Sequence, residues 1–207
     1  MTSTTDRETL VVFDWNGTVM DDVSRATNAM NQVLSHYDRD DITEDDVRRT
    51  FRLPMTEWTT ALGLPDEAAD LWSVEVSFLD AAARPEAHAV LLELRSAGVV
   101  VGVASAASEA AVVADARRCG LIDVIDLLAT GVSDKTEYLR SVRRLADRAV
   151  YVGDCEYDVE CARAAGFEAV AIAGGYRSVA DLESAMPDVV VTDLGDVAGL
   201  VTATIRS

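Results

Sequence analysis

Residues 11–18 have the sequence VVFDWNGT, in which an apolar run ends at Asp14 and a Gly-Thr turn follows. A short apolar run bounded by a turn is typical of a buried strand. Residues 149–158, AVYVGDCEYD, form a second apolar run that ends in Gly-Asp, with another Asp four positions later. A third run, residues 99–104, ends at Ser105. Each predicted strand therefore carries a polar side chain at its carboxyl end.

Strands and helices alternate through most of the chain. The predicted strands are 9–13, 99–104, 122–129, 149–152, 168–172 and 188–192, and the predicted helices between them are 86–97, 108–119, 135–147, 156–165 and 178–185. Repeated βα units favour a parallel sheet that binds ligands at the carboxyl ends of its strands.

An exception to this alternation is the segment 22–83, which has helical periodicity and no predicted strand. We therefore predict an α/β fold: a Rossmann-like parallel sheet core with helices on both faces and an inserted α-helical cap. The core is expected to comprise residues 1–20 and 85–207, and the cap residues 21–84.

Composition restricts the possible partners. The 207 residues include 36 acidic and 18 basic side chains, for a net charge of −18, which disfavours nucleic acid and anionic membranes as partners. No apolar run approaches the roughly 18–20 residues that span a bilayer. Three cysteines form no disulfide framework and no signal peptide is recognisable, so we expect a cytoplasmic protein.

Lys135 is the only lysine, because seventeen of the 18 basic residues are arginine. It lies between the two acidic motifs. A compact ammonium there can neutralise a carboxylate and an incoming phosphate. The chain order of carboxylate, hydroxyl, ammonium and carboxylate pair indicates a site for a phosphoryl group and a divalent cation.

These motifs and the helical insert resemble the haloacid dehalogenase superfamily, in particular its phosphoglycolate-phosphatase-like branch with a helical C1-type cap. The four family motifs correspond to residues 14–18, Ser105, Lys135 and residues 153–158, and residues 84–98 resemble the return from cap to core. The resemblance implies a Mg²⁺-dependent phosphatase that hydrolyses a small phosphorylated metabolite through an aspartyl-phosphate on Asp14. It is expected to be a monomer or a homodimer.

The resemblance also implies the roles of individual residues. The expected catalytic residues are Asp14, Asn16 and Lys135. The expected metal ligands are Asp14, Asn16 through its backbone carbonyl, Asp154, and Asp158, which acts through water or by orienting a neighbour. The expected substrate-binding residues are Thr18, Ser105, Ala106, Lys135 and Arg52.

Asn16 departs from the family pattern, in which a second Asp two positions after the nucleophile acts as general acid and base. An amide cannot shuttle a proton, and general acid–base help contributes typically ~10²–10⁴-fold. Three interpretations follow: another acid from the cap replaces it, the substrate has a good leaving group, or the protein binds phosphate with little turnover. Changing Asn16 to Asp would test whether the proton shuttle is missing.

Other branches of the superfamily also lack the second Asp. Phosphonoacetaldehyde hydrolase has a similar start but needs a Schiff-base lysine in its cap, and residues 19–84 contain no lysine. The haloalkanoate dehalogenases of this superfamily need no metal, whereas the acidic pair Asp154 and Asp158 favours Mg²⁺. Dehalogenation is kept as an alternative, and it predicts release of halide that persists when a chelator removes divalent metals.

Overall fold

The computed structural model describes residues 9–52 and 54–205. The strands in these ranges are β1 (Thr9–Phe13), β2 (Met20–Asp21), β3 (Ala82–Ala83), β4 (Val100–Ala104), β5 (Leu127–Ala129), β6 (Arg148–Gly153), β7 (Glu168–Ile172) and β8 (Val189–Val191). The helices are α1 (Val23–His36), α2 (Glu44–Thr50), α3 (Met55–Ala61), α4 (Glu67–Ser77), α5 (Ala87–Ser96), α6 (Glu109–Arg118), α7 (Lys135–Val142), α8 (Glu156–Ala165), α9 (Val179–Ser184) and α10 (Leu194–Ile205).

Six strands form one parallel sheet in the order β5-β4-β1-β6-β7-β8, so β1 lies between β4 and β6. All five residues of β1 are buried. Val11 and Phe13 face a hydrophobic cluster that includes side chains of α5, α6 and α10. Leu10 and Val12 face a second cluster with α7, α8 and α9. The predicted parallel core with helices on both faces is confirmed.

Helices α1–α4 lie between β2 and β3 in the chain and surround a third hydrophobic cluster. In α1 the buried residues Ala26, Met30 and Val33 recur at helical spacing. Thr43 is the N-cap of α2 and forms a capping box, in which its hydroxyl accepts from the N–H of Asp46. Tyr176, from the loop after β7, belongs to the same cluster and connects the cap to the core. The cap limits 21–84 stay a prediction.

The structure corrects the expectation that 22–83 contains no strand, because Ala82–Ala83 pairs antiparallel with Met20–Asp21. Two alanines lack the β-branched side chains typical of strands, so this strand forms only because Met20–Asp21 lies beside it. The predicted strand 122–129 is also shorter, because Ile122–Val124 is a 3₁₀ turn that buries Val124.

Two helices differ from the prediction as well. The predicted helix 135–147 ends at Val142 and continues as a 3₁₀ turn, Arg143–Leu145. Helix α10 follows the last strand and was not predicted. Its sequence contains two glycines and several β-branched residues, which have low helix propensity, yet Leu194, Val197 and Val201 are buried against the sheet. No helix in the described ranges has the length and hydropathy to cross a bilayer.

Candidate active site

Three polar residues follow adjacent strands of the sheet at their carboxyl ends. Asp14 follows β1, Ser105 follows β4 and Asp154 follows β6. The N–H of Asp14 donates to the Val152 carbonyl at 2.8 Å, which continues the strand pairing up to the carboxylate. All three residues are buried. The topology therefore brings together motifs that lie about ninety and fifty residues apart in the sequence.

Lys135 is the first residue of α7 and is buried, with 4% of its surface exposed. Its Nζ lies 2.8 Å from Asp14 Oδ1 and 2.7 Å from Asp158 Oδ1. Burial lowers the pKa of the Lys135 ammonium, but the charges of Asp14 and Asp158 raise it by more, and the result lies well above the usual value. The ammonium is therefore permanently charged at neutral pH and faces the predicted nucleophile.

Asp158 has both carboxylate oxygens occupied by protein donors. Oδ1 accepts from Lys135 Nζ at 2.7 Å and from the Tyr151 hydroxyl at 3.1 Å. Oδ2 accepts from the N–H of Cys155 at 3.3 Å and from its Sγ at 2.9 Å. These contacts are compatible with orientation of Lys135, one of the two expected roles of Asp158.

The main chain of two loops lies close to the carboxylate of Asp154. Its Oδ2 accepts from the N–H of Tyr176 at 2.6 Å. A Cβ at Gly17 would lie 2.3 Å from this oxygen, and a Cβ at Gly175 would lie 2.2 Å from it. Gly17 also has a left-handed φ of +76°, which favours glycine. Two glycines are therefore needed for the main chain to approach the carboxylate from both sides.

The buried cluster has more negative than positive charge. Burial, followed by the charges of Asp158 and Asp14, raises the pKa of Asp154 well above its usual value. Burial raises the pKa of Asp14 to about 6, although Lys135 opposes this shift. Two carboxylates thus contact the one ammonium, and a third, Asp154, is buried in the same cluster. An all-oxygen set with excess negative charge suits a hard divalent cation such as Mg²⁺, so the residues present fit the predicted metal.

The family is decided by comparison with known sequences. A model of the haloacid dehalogenase-like hydrolases matches residues 9–166, which is well over half of the chain. The chain belongs to this family. The matched range begins at β1 and ends with α8, and it therefore includes Asp14, Ser105, Lys135 and Asp154.

Curated relatives of this haloacid dehalogenase-like hydrolase include proteins of two different names. It is 27% identical over 184 residues to the tyrosine-protein kinase PtkA of Mycobacterium tuberculosis, a match that covers 81% of this chain and 62% of PtkA. The chain therefore spans less than two thirds of that protein. It is 26% identical over 209 residues to phosphoglycolate phosphatase of Synechococcus elongatus, covering 95% of this chain and 98% of the relative.

Solved structures show the same fold. A haloacid dehalogenase-like family protein from Streptococcus pneumoniae superimposes with a TM-score of 0.84 at 17% identity, covering 94% of this chain and 99% of the other. A protein from Haemophilus somnus that is described as a predicted phosphoglycolate phosphatase superimposes with a TM-score of 0.79 at 15% identity, covering 95% of this chain and 99% of the other. At these identities the likeness concerns the fold alone.

The residues expected to bind phosphate lie in the loops around Asp14. Ser105 is buried, and its hydroxyl accepts from the N–H of Ala107 at 3.1 Å, which leaves its proton free to donate. Ala106 is exposed in the same loop. The Thr18 hydroxyl is fully buried and has no hydrogen-bond partner within the described protein. These positions are compatible with the predicted roles.

Arg52 lies apart from this cluster. It is exposed, and its Nε donates to the carbonyl of Thr50 at 3.3 Å within the cap. Arg48, in contrast, reaches the core, where its Nε donates to the Gly175 carbonyl at 3.4 Å. Arg52 lines a cleft together with Arg48, Glu156 and Arg177, and its role in substrate binding stays a prediction.

Three residues near the site were not assigned a role from sequence. Arg84 Nη2 donates to the carbonyls of Gly17 at 2.9 Å and Ala173 at 3.0 Å. Tyr176 covers Asp154 and stacks against Phe51 of the cap at 4.4 Å between ring centroids. Asp22 accepts from the side chain of Asn16 at 2.5 Å. The sequence signals were the Arg-Pro pair at residues 84–85 and the Gly-Gly-Tyr run at 174–176.

Proposed function

We propose that the chain is a Mg²⁺-dependent phosphatase of small phosphomonoesters that reacts through an aspartyl-phosphate on Asp14. The observation that carries the proposal is the buried contact of Lys135 Nζ with Asp14 Oδ1 at 2.8 Å. Asp14 and Asp154 follow neighbouring strands at the same edge of the sheet. Membership of the hydrolase family and the relative named phosphoglycolate phosphatase support it.

In the first step a carboxylate oxygen of Asp14 attacks phosphorus, and the bond from phosphorus to the leaving-group oxygen breaks. In the second step water attacks phosphorus, the bond to Asp14 breaks, and inorganic phosphate departs while a proton passes to solvent. Lys135 neutralises charge on the nucleophile and on the phosphoryl oxygens. Asp14, Asp154 and the Asn16 carbonyl would hold Mg²⁺, which supplies further charge neutralisation.

The leaving group determines how fast the first step can be. Residue 16 is an amide whose nitrogen donates to Asp22, so it provides no proton to a departing oxygen. Loss of general acid help costs ~10²–10⁴-fold, and the cost falls mainly on poor leaving groups. We therefore expect acyl or aryl phosphates to be better substrates than alkyl phosphates.

Substrate size is limited by contacts between cap and core. Arg177, beside Tyr176, donates from Nη2 to the Phe51 carbonyl of the cap at 2.8 Å. Together with the Phe51–Tyr176 ring contact, this places cap residues over the loop that follows β7. A cap that contacts the core on this side favours a small metabolite over a macromolecular substrate. The cysteines, all free, are compatible with the reducing cytoplasm as its place of action.

The test is turnover of aryl, acyl and alkyl phosphates with Mg²⁺ by the wild type and by Asp14→Asn. We expect turnover by the wild type, none by the variant, and a hydroxylamine-sensitive phosphoryl adduct on Asp14 in rapidly quenched samples. Exposed Asp40→Asn serves as the matched control and should retain full activity. Undiminished turnover by Asp14→Asn would refute the mechanism.

Two alternatives make different predictions. A phosphate-binding protein without turnover is favoured by the amide at Asn16, and it predicts phosphate binding with no hydrolysis of any phosphate class. A dehalogenase predicts halide release from haloacids that persists in a chelator. Robust phosphate release that disappears in EDTA would eliminate both.

A further inference from the structure

Asp22 is a buried carboxylate that has no part in the phosphoryl transfer described above. It exposes 2% of its surface and stands at the N-cap of α1. An Asp at this position ordinarily accepts from an N–H of the first helical turn. Here the side chain makes no capping hydrogen bond. Helix α1 therefore lacks the stabilisation that an Asp cap usually provides.

The carboxylate is directed to the loop that follows Asp14. Its Oδ1 accepts from the N–H of Gly17 at 2.8 Å, and its Oδ2 accepts from Asn16 Nδ2 at 2.5 Å. Arg25 Nη2 also donates to Oδ2, at 3.0 Å. Each of these partners is a donor, so the geometry suits an ionised carboxylate, which makes stronger hydrogen bonds than a neutral group.

The peptide segment of residues 16–17 is thereby held on both sides. Asp22 accepts from the N–H of Gly17, while Arg84 donates to the carbonyl of the same residue at 2.9 Å. The Asn16 carbonyl, which is the proposed metal ligand, belongs to the same peptide group as the N–H of Gly17. Its direction therefore depends on the hydrogen bonds that Asp22 makes to Asn16 and Gly17.

Arg25, which donates to Asp22, also contacts a carboxylate of the core. Arg25 Nη1 lies 2.7 Å from Asp115 Oδ2 on α6, and both side chains are 8% exposed. Asp115 Oδ1 in turn accepts from Arg118 at 2.7 Å. A buried chain of charges thus connects the loop after Asp14, the first cap helix and a core helix.

We propose that Asp22 is a positioning residue whose carboxylate holds Asn16 and Gly17 in the orientation needed for reaction at Asp14. The inference rests on the proposed phosphatase function for its kinetic consequence, but the contact itself can be tested without turnover. It also changes the expectation for Asn16→Asp, because an Asp there would face the carboxylate of Asp22 at hydrogen-bond distance, where two like charges repel.

The experiment is a double-mutant cycle of Asn16→Asp, Asp22→Asn and the exchanged pair N16D/D22N. The exchange restores a hydrogen bond between residues 16 and 22 with donor and acceptor reversed. Asp115→Asn is the matched control, because it removes a different carboxylate of Arg25 without touching the loop. Thermal unfolding in EDTA and kcat and KM for an aryl phosphate with Mg²⁺ are measured for all five proteins.

We expect each single change at 16 or 22 to lower the Tm by at least about 2–4 °C. The exchanged pair should lose less than the sum of the two single losses, because the hydrogen bond between 16 and 22 returns although Arg25 loses an acceptor. In Asp22→Asn, kcat should fall about 10–100-fold with a smaller change in KM, because a displacement on the order of 1 Å can cost ~10²-fold. Asp115→Asn should also lower the Tm but change kcat less than about twofold, because the contacts of Asp22 with Asn16, Gly17 and Arg25 do not involve Asp115.

Additive Tm losses in the cycle, or equal kcat losses in Asp22→Asn and Asp115→Asn, would overturn the inference. If Asp22→Asn does not fold, Asn16→Ala removes the same hydrogen bond from the other side and should show the same loss of kcat; an unchanged kcat would overturn the inference. If the wild type shows no turnover, the proposed function fails, and the coupling in Tm still decides whether Asp22 holds the loop.

Discussion

Replacing Asp14 by Asn should stabilise the metal-free protein while abolishing its activity. Burial raises the pKa of Asp14 from 3.8 to about 6. A folded-state pKa above the unfolded value means that the ionised carboxylate destabilises the folded state. At about 1.36 kcal/mol per pKa unit, the ionised form costs about 3 kcal/mol near pH 7, and Asn avoids this cost. Lys135 keeps Asp158 as a partner in the variant.

The pH dependence of this destabilisation follows from the protonation of Asp14 in the folded and unfolded states. Below about pH 3.8 Asp14 is protonated in both states and contributes nothing; between pH 3.8 and 6 the destabilisation grows with pH, and above 6 it is complete. The advantage of Asp14→Asn should therefore be about 3 kcal/mol near pH 7, or about 6–12 °C in Tm, and about 1 kcal/mol near pH 4.5.

The assay is thermal unfolding in EDTA at both pH values, repeated with Mg²⁺. Exposed Asp40→Asn is the control and should differ from wild type by less than about 0.5 kcal/mol. Mg²⁺ should reduce the advantage of Asp14→Asn, because a bound cation stabilises the carboxylate that the variant lacks. A variant less stable than wild type in EDTA near pH 7, or an advantage independent of pH, would refute the electrostatic reasoning.

Three further predictions concern other parts of the site. Lys135→Met should lower stability by about 3–5 kcal/mol near neutral pH, because it leaves buried carboxylates unpaired; urea denaturation measures this loss, and an unchanged midpoint contradicts it. Gly17→Ala and Gly131→Ala share a left-handed φ, but only at Gly17 would the Cβ meet another residue, Asp154. The left-handed φ should therefore cost about 1–2 kcal/mol at both positions, whereas only Gly17→Ala should lose further stability and its activity; equal activities would exclude the steric argument. Mg²⁺ at about 100 times its Kd should stabilise wild type by about 2.7 kcal/mol but not Asp154→Asn; an equal Tm gain in both proteins would remove Asp154 from the metal site.

The strands that carry the site could be predicted because their burial is complete and continuous. β1 is buried along its whole length, and residues 149–153 of β6 are buried as well, so apolar runs alone locate these strands and the polar residue that ends each. Lys135 could be singled out because it is the only lysine in an arginine-rich chain. These features are local in sequence, and a single chain therefore shows them.

Features that depend on a distant partner could not be predicted. β3 is a strand because Met20–Asp21 lies beside it, and α10 is a helix because the sheet buries its apolar side. Asp22 has the sequence context of an ordinary helix cap, and only the structure shows that its side chain bonds to Asn16 instead. The position of Arg52 depends on cap packing that its sequence neighbours do not specify.

The burial of Lys135 means that the folded protein offers amine-directed reagents no exposed side-chain target, since this lysine is the only one in the chain. Acylation of Nζ therefore requires the first turn of α7 to separate from Asp14 and Asp158. The labelling rate of this single amine, followed by mass spectrometry, would measure how often the catalytic centre opens, with no probe introduced by mutation.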